Sequence, residues 1–124
     1  MIKSIHHIAL RTTDLERMAD FYSQALGFTR GLRLDFEDGS YLVLMELGGA
    51  KVELFGGGKR KAEEAQATGF IHLALTVDDV EAECERLKGL GCEFYIEPVT
   101  IQGLRVAFFR DPDGNSIELI QEIR

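Results

Sequence analysis

His7-Ile8-Ala9-Leu10 and His72-Leu73-Ala74-Leu75 write one phrase twice, and Glu53-Leu54 and Glu118-Leu119 stand at the same distance downstream of each histidine. Both the histidines (7 and 72) and the glutamates (53 and 118) are 65 positions apart. Self-similarity at a long fixed period means that a supersecondary unit occurs more than once. Working outward from the first copy, residues 4–11 carry the β-branched and apolar positions of a strand. Thr13-Asp14-Leu15-Glu16 then has the spacing of a capping box opening a helix. Leu15, Met18, Tyr22, Ala25 and Leu26 recur at helical intervals, and Gly27 closes the helix. Glu37-Asp38-Gly39 is a hairpin signal, so residues 30–36, 40–47 and 50–55 read as three further strands. The order is βαβββ.

The second copy repeats that order. Residues 70–77 read as a strand, and Asp78-Asp79-Val80-Glu81 again has capping spacing. Val80, Cys84, Leu87 and Leu90 mark a buried face, with Gly91 as the stop. Strands near 93–99, 104–110 and 116–122 follow, the last two joined by Asp111-Pro112-Asp113-Gly114-Asn115, a stretch dense in turn formers. The sequence therefore reads as a single domain over 1–124, made of modules at about 1–56 and 70–124 with a linker at about 57–69. Gly56-Gly57-Gly58 lacks the strand, helix and Lys-Ser/Thr context of a phosphate-binding loop and reads as a flexible connector, with a short solvated helix at 61–67.

The 124 residues, 45% hydrophobic and 28% charged, suit a soluble domain with a real core. A net charge of −7 argues against nucleic acid or an anionic membrane as partner. With no run of membrane-spanning length and no signal-peptide order at the start, the expected location is the cytoplasm. Cys84 and Cys92 read as reduced thiols without assigned chemistry.

Strand side chains alternate between faces. His7, Ala9 and Arg11 thus oppose Ile8 and Leu10, while His72, Ala74 and Thr76 oppose Leu73, Leu75 and Val77. In the closing strands Glu53 and Phe55 oppose Val52 and Leu54, and Glu118 and Ile120 oppose Ile117 and Leu119. One face is aliphatic in all four strands, and the other carries an imidazole or a carboxylate. His6 falls outside this duplicated frame, because its counterpart is Ile71. A pseudo-twofold between the copies is expected to bring the two histidines and two glutamates to one point. Two carboxylates in one pocket need compensating charge, and a divalent cation supplies it. Mixed imidazole and carboxylate ligation suits Ni, Zn, Mn, Co or Fe.

These residues, with Phe21-Tyr22, Leu26-Gly27-Phe28, Val52-Glu53-Leu54 and Phe109-Arg110-Asp111-Pro112-Asp113-Gly114-Asn115, make the chain resemble the vicinal-oxygen-chelate superfamily over essentially its whole length, most of all its glyoxalase I branch. The resemblance implies an α+β fold: two tandem βαβββ modules whose sheets form an open barrel-like cavity with helices outside, often in a homodimer. It implies His7, Glu53, His72 and Glu118 as ligands of a divalent metal ion, Glu118 as the catalytic base with Glu53 as second choice, and Arg11 as a substrate-binding residue for a carboxylate. The implied activity is that of a lyase or isomerase of the lactoylglutathione lyase kind. It would transfer a proton on a hemithioacetal or 2-oxo compound through a metal-stabilised enediolate. The expected partner is a small-molecule carbonyl substrate, including a thiol adduct.

Glutathione-using relatives carry an asparagine soon after the first glutamate, where this chain has Gly56-Gly57-Gly58, so the thiol stays open. Phe55, Phe108 and Ile120 are candidates to line the substrate pocket. The alternatives within the superfamily are a methylmalonyl-CoA epimerase-like enzyme, an extradiol-type dioxygenase and a non-enzymatic, bleomycin-resistance-like drug-binding protein.

Overall fold

A computed structural model describes residues 1, 3–57, 70 and 72–123. The chain divides into two compact units, Met1–Ala65 and Gln66–Arg124. The expected solvated helix at 61–67 lies outside the described residues, as does the linker beyond Gly57. No helix among the described residues is long and apolar enough to cross a membrane.

The first unit runs β1 (Ile8–Arg11), α1 (Leu15–Gln24), β2 (Thr29–Asp35), β3 (Ser40–Leu47) and β4 (Ala50–Gly57). Its sheet has the order β1-β4-β3-β2, with β1 parallel to β4 and the other pairs antiparallel. The second unit repeats this with β5 (His72–Thr76), α2 (Val80–Gly89), β6 (Phe94–Ile101), β7 (Leu104–Arg110) and β8 (Ser116–Glu122), in the order β5-β8-β7-β6. The twofold βαβββ reading and the α+β class are therefore correct. Pro98, which cannot donate to a ladder, sits in β6 at the edge of its sheet, where strand prolines are tolerated.

Each helix packs on its own sheet through the expected apolar stripe. Met18 and Tyr22 of α1, like Val80 and Leu87 of α2, are fully buried. Opposite them lie Val43, Met45 and Leu54 in the first unit and Ala107, Phe109 and Ile117 in the second, all 0% exposed. Leu90 departs from the reading at 58% exposure: α2 ends at Gly89, and the next residue leaves the helical spiral. Gly27 and Gly91 take the left-handed conformation (φ +80° and +94°) that stops a helix at little cost when no Cβ is present.

The caps differ from the expected box in one detail. Asp14 rather than Thr13 is the N-cap, its carboxylate accepting from the Arg17 amide at 3.2 Å, while Asp79 caps α2 by accepting from Ala82 at 3.1 Å. In both helices the aspartate reaches the third helical amide directly. The second residue of each helix is instead tied to a sheet arginine. Arg30 donates to both oxygens of Glu16 at 2.9 and 3.0 Å, and Arg105 Nε donates to Glu81 at 2.7 Å. The bonds from Arg30 and then from the Tyr41 hydroxyl hold the Glu16 carboxyl at about 2, well below its ordinary 4.5.

The strand limits correct two further expectations. β1 begins at Ile8, because its parallel pairing with β4 spans only Ile8 opposite Val52 through Arg11 opposite Phe55. Gly56 and Gly57, read as the start of a flexible connector, belong to β4 and pair with Tyr41 and Ser40. A Cβ on Gly56 would stand 2.5 Å from the backbone oxygen of Thr12, so glycine here permits close approach of two backbone segments. Gly56→Ala should lower stability by about 1–3 kcal/mol. Gly89→Ala, in open space at the end of α2, should raise it by about 0.4–1 kcal/mol. Urea denaturation of the two variants checks the opposite signs.

Candidate metal centre

The parallel pairings position the repeated histidines and glutamates. Ala9 pairs with Glu53 and Ala74 with Glu118, so in each unit the histidine lies two residues before the glutamate's partner, on the same face. A small alanine between them leaves the imidazole room to swing over the carboxylate. His7 Nε2 stands 2.8 Å from Glu53 Oε2, and His72 Nε2 stands 3.4 Å from Glu118 Oε1. Both histidine side chains are 34% exposed, and the glutamates are 16% and 14% exposed. Equal exposure of all four in matched pairs makes the duplication one of environment as well as of sequence.

Alternation produces this environment. In β4 the buried Val52 and Leu54 flank Glu53, and in β8 the buried Ile117 and Leu119 flank Glu118. The aliphatic residues face the helix layer, which forces both carboxylates to the other side. His7 directly precedes β1, and its ring is held from behind: Nδ1 lies 2.9 Å from His6 Nδ1, with one ring nitrogen donating to the other. His6 thus touches His7, its neighbour in the segment that leads into β1. In the second unit the His72 ring meets Phe108 edge-on, with centroids 5.5 Å apart.

The donor set fits a divalent cation. Two ligand atoms each about 2.0–2.2 Å from one ion, at tetrahedral or octahedral angles, lie roughly 2.8–3.6 Å apart. Both imidazole-to-carboxylate distances fall in that interval, with a ring nitrogen and a carboxylate oxygen from each unit. The structure describes the four residues as two such pairs. Among the described residues no group of three or more His, Cys, Asp or Glu side chains is gathered for an ion.

Arg11, the candidate carboxylate binder, ends β1 opposite Phe55 and is exposed. Phe55 helps line an open cleft of about 330 Å³ with Phe36, Glu37, Asp38 and Ser40, and the rings of Phe36 and Phe55 are 5.9 Å apart. Phe108 lies directly opposite Glu118 across the β7–β8 ladder, and Ile120 lies opposite Val106. Tyr95 and Ser116, which the sequence did not single out, join this face: Tyr95 stacks against Phe108 at 5.8 Å and shares a hydrogen bond with the Ser116 hydroxyl. The only sequence signal for Ser116 was its place two residues before Glu118.

The cysteines take no part. Cys84 is buried in α2, and burial pushes its thiol up to about 11, away from the reactive thiolate.

A βαβββ unit used twice, with an imidazole at the start of the first strand or just before it and a carboxylate on the last strand of each copy, defines a class of duplicated α+β proteins. A family model for the Glyoxalase/Bleomycin resistance protein/Dioxygenase superfamily matches residues 4–119, and the chain belongs to that family. A lactoylglutathione lyase of Pseudomonas aeruginosa is 32% identical over 143 residues, covering 94% of this chain and 81% of the relative. The uncharacterized protein YwkD of Bacillus subtilis is 35% identical over 129 residues, covering 98% of this chain and 99% of its own. The solved trypanothione-dependent glyoxalase I of Leishmania major superposes with a TM-score of 0.81 at 26% identity, over 98% of this chain and 88% of that one.

Proposed function

We propose that this chain is a metal-dependent lyase or isomerase of the glyoxalase I type, acting on a hemithioacetal or 2-oxo compound. The observation that carries the proposal is the repeated His and Glu pair, whose donor atoms stand 2.8 and 3.4 Å apart on equivalent faces of the two units. Membership of the family and similarity to proteins named lactoylglutathione lyase support it. His7, Glu53, His72 and Glu118 are the proposed ligand set, and Ni, Zn, Mn, Co or Fe the proposed ions. Such an ion supplies Lewis-acid stabilisation for negative charge that builds on the substrate oxygens.

The chain's own residues do the rest. The Glu118 carboxylate removes the carbon-bound proton and returns it to the adjacent carbon, and Glu53 is the second candidate for that role. Phe108, opposite Glu118 on the ladder, sets an apolar ring against His72 beside that carboxylate. Arg11 is proposed to bind a substrate carboxylate. The proposed working form is a homodimer in the cytoplasm.

Loading the purified chain with each metal in turn and assaying methylglyoxal with different thiols tests this reading. The expected result is bound metal and turnover with at least one thiol. Absence of binding for every ion after reconstitution would sink it. Iron-dependent oxygen uptake with a catechol would move the chain to the dioxygenases instead, and sedimentation velocity checks the dimer.

A further inference from the structure

The sheet ladders place side chains from three strands in rows beside each histidine, and the two units fill corresponding rows differently. In the second unit His72 pairs with Ser116, and Ser116 pairs with Arg110, so the row reads imidazole, hydroxyl, guanidinium. The next row is Ala74, Glu118 and Phe108. Arg110 therefore stands two strand spacings, about 10 Å, from His72 on the face that carries Glu118. In the first unit the ladder positions matching Ser116 and Arg110 are Lys51 and Glu46, whose charges meet at 3.9 Å. That row neutralises itself. The row beside His72 carries a cation and no carboxylate.

Arg110 is also held in a fixed orientation. Its guanidinium carbon lies 4.4 Å from the centroid of the Tyr95 ring, and Nη1 donates to the Gly114 carbonyl at 3.0 Å. The Tyr95 hydroxyl shares its hydrogen bond with Ser116. The partners of Arg110 among the described residues are thus a π face and a neutral carbonyl. Arg30, Arg33, Arg86 and Arg105 each pair with a carboxylate. A guanidinium has five N–H donors in a planar fork, and an arrangement that fixes the plane while using one donor suits a two-oxygen anion. In a chain of net charge −7 the long-range field repels anions, and a local cation of this kind offsets that repulsion near the site.

We propose that Arg110, with the Ser116 and Tyr95 hydroxyls, forms an anion-binding subsite beside the His72 and Glu118 pair that takes a carboxylate or phosphate group. That this anion is part of the substrate rests on the function proposed above; the subsite itself does not. Its three residues belong to the second unit, whereas Arg11 belongs to the first. The subsite makes Arg110 a specificity residue that selects substrates whose anionic group reaches the row beside His72 and Glu118.

The test is an NMR titration of the isotopically labelled 124-residue chain with inorganic phosphate and, separately, with succinate, each at constant ionic strength against chloride. The Arg110 side-chain N–H signal and the amides of Tyr95 and Ser116 are followed. The expected result is a saturable shift confined to these residues, and the stronger of the two arms identifies the anion class. Arg110→Met should abolish the shift. Arg110→Lys, which keeps charge but loses the stacked fork, should weaken binding about tenfold.

No saturation in the wild-type chain with either anion would overturn the proposal. Equal shifts at the exposed Arg17, or persistence of the effect in Arg110→Met, would do so as well. An active, metal-loaded enzyme with no anion response at Arg110 refutes only the subsite. A chain that binds no metal but saturates at Arg110 refutes only the lyase reading.

Discussion

Glu118→Gln is expected to lower turnover by about two to four powers of ten while the chain stays folded. The amide has nearly the shape of the carboxylate and can occupy the same place beside Phe108 and His72, but it does not take up a proton at neutral pH. The side chain is only 14% exposed and lies 3.4 Å from the imidazole, so the exchange also removes a charge where water compensates poorly. Steady-state kinetics with the metal and thiol that give the highest activity provide the measurement, with bound metal determined on the same samples. A loss smaller than tenfold, with metal retained, would move the role of base from Glu118 to Glu53. Loss of metal together with activity would assign Glu118 to ligation.

Phe109→Ala is expected to destabilise the fold by about 3–5 kcal/mol, a large share of the roughly 5–15 kcal/mol that holds a typical domain together. Phe109 is 0% exposed, pairs with Ile117 across the ladder and packs on Phe94 with ring centroids 5.0 Å apart. Its removal leaves a cavity between sheet and helix that α2 cannot close without losing the seats of Val80 and Leu87. Urea denaturation should show a lower midpoint at an unchanged slope. Leu34→Ala on β2, where the side chain is 46% exposed, should cost less than about 1 kcal/mol in the same assay.

The architecture was legible because each copy repeats the punctuation of the other. Val52 and Leu54 on either side of Glu53, and Ile117 and Leu119 on either side of Glu118, announce both the strand and its buried face, and the burial follows that alternation. That each histidine and each glutamate faces away from the aliphatic layer was equally legible, since a period of two fixes the face once the strand is known.

Ladder position is another matter. Bulges between Arg30 and Arg33 in β2 and between Phe94 and Val99 in β6 shift the pairing by amounts that no local pattern encodes. The row of Arg110, Ser116 and His72 lies on strands without such shifts, and it appears only in the assembled sheet because the parallel pairing of His72 with Ser116 joins residues far apart in sequence. Gly56 was misread for a similar reason. Three consecutive glycines look like a tether until the Thr12 carbonyl is seen to occupy the space of the missing Cβ.

The parallel pairing of β1 with β4, and of β5 with β8, has a consequence for the order of events during folding. In each unit the histidine comes from the beginning of the segment and the glutamate from its end, so no partially formed hairpin contains both. The antiparallel strands between them can zip early, through short loops. The parallel strand is added by closing a long loop, which is the slow step in such topologies. An ion that needs both donors therefore binds only finished units, and by mass action it favours the completed fold over every intermediate on the way to it.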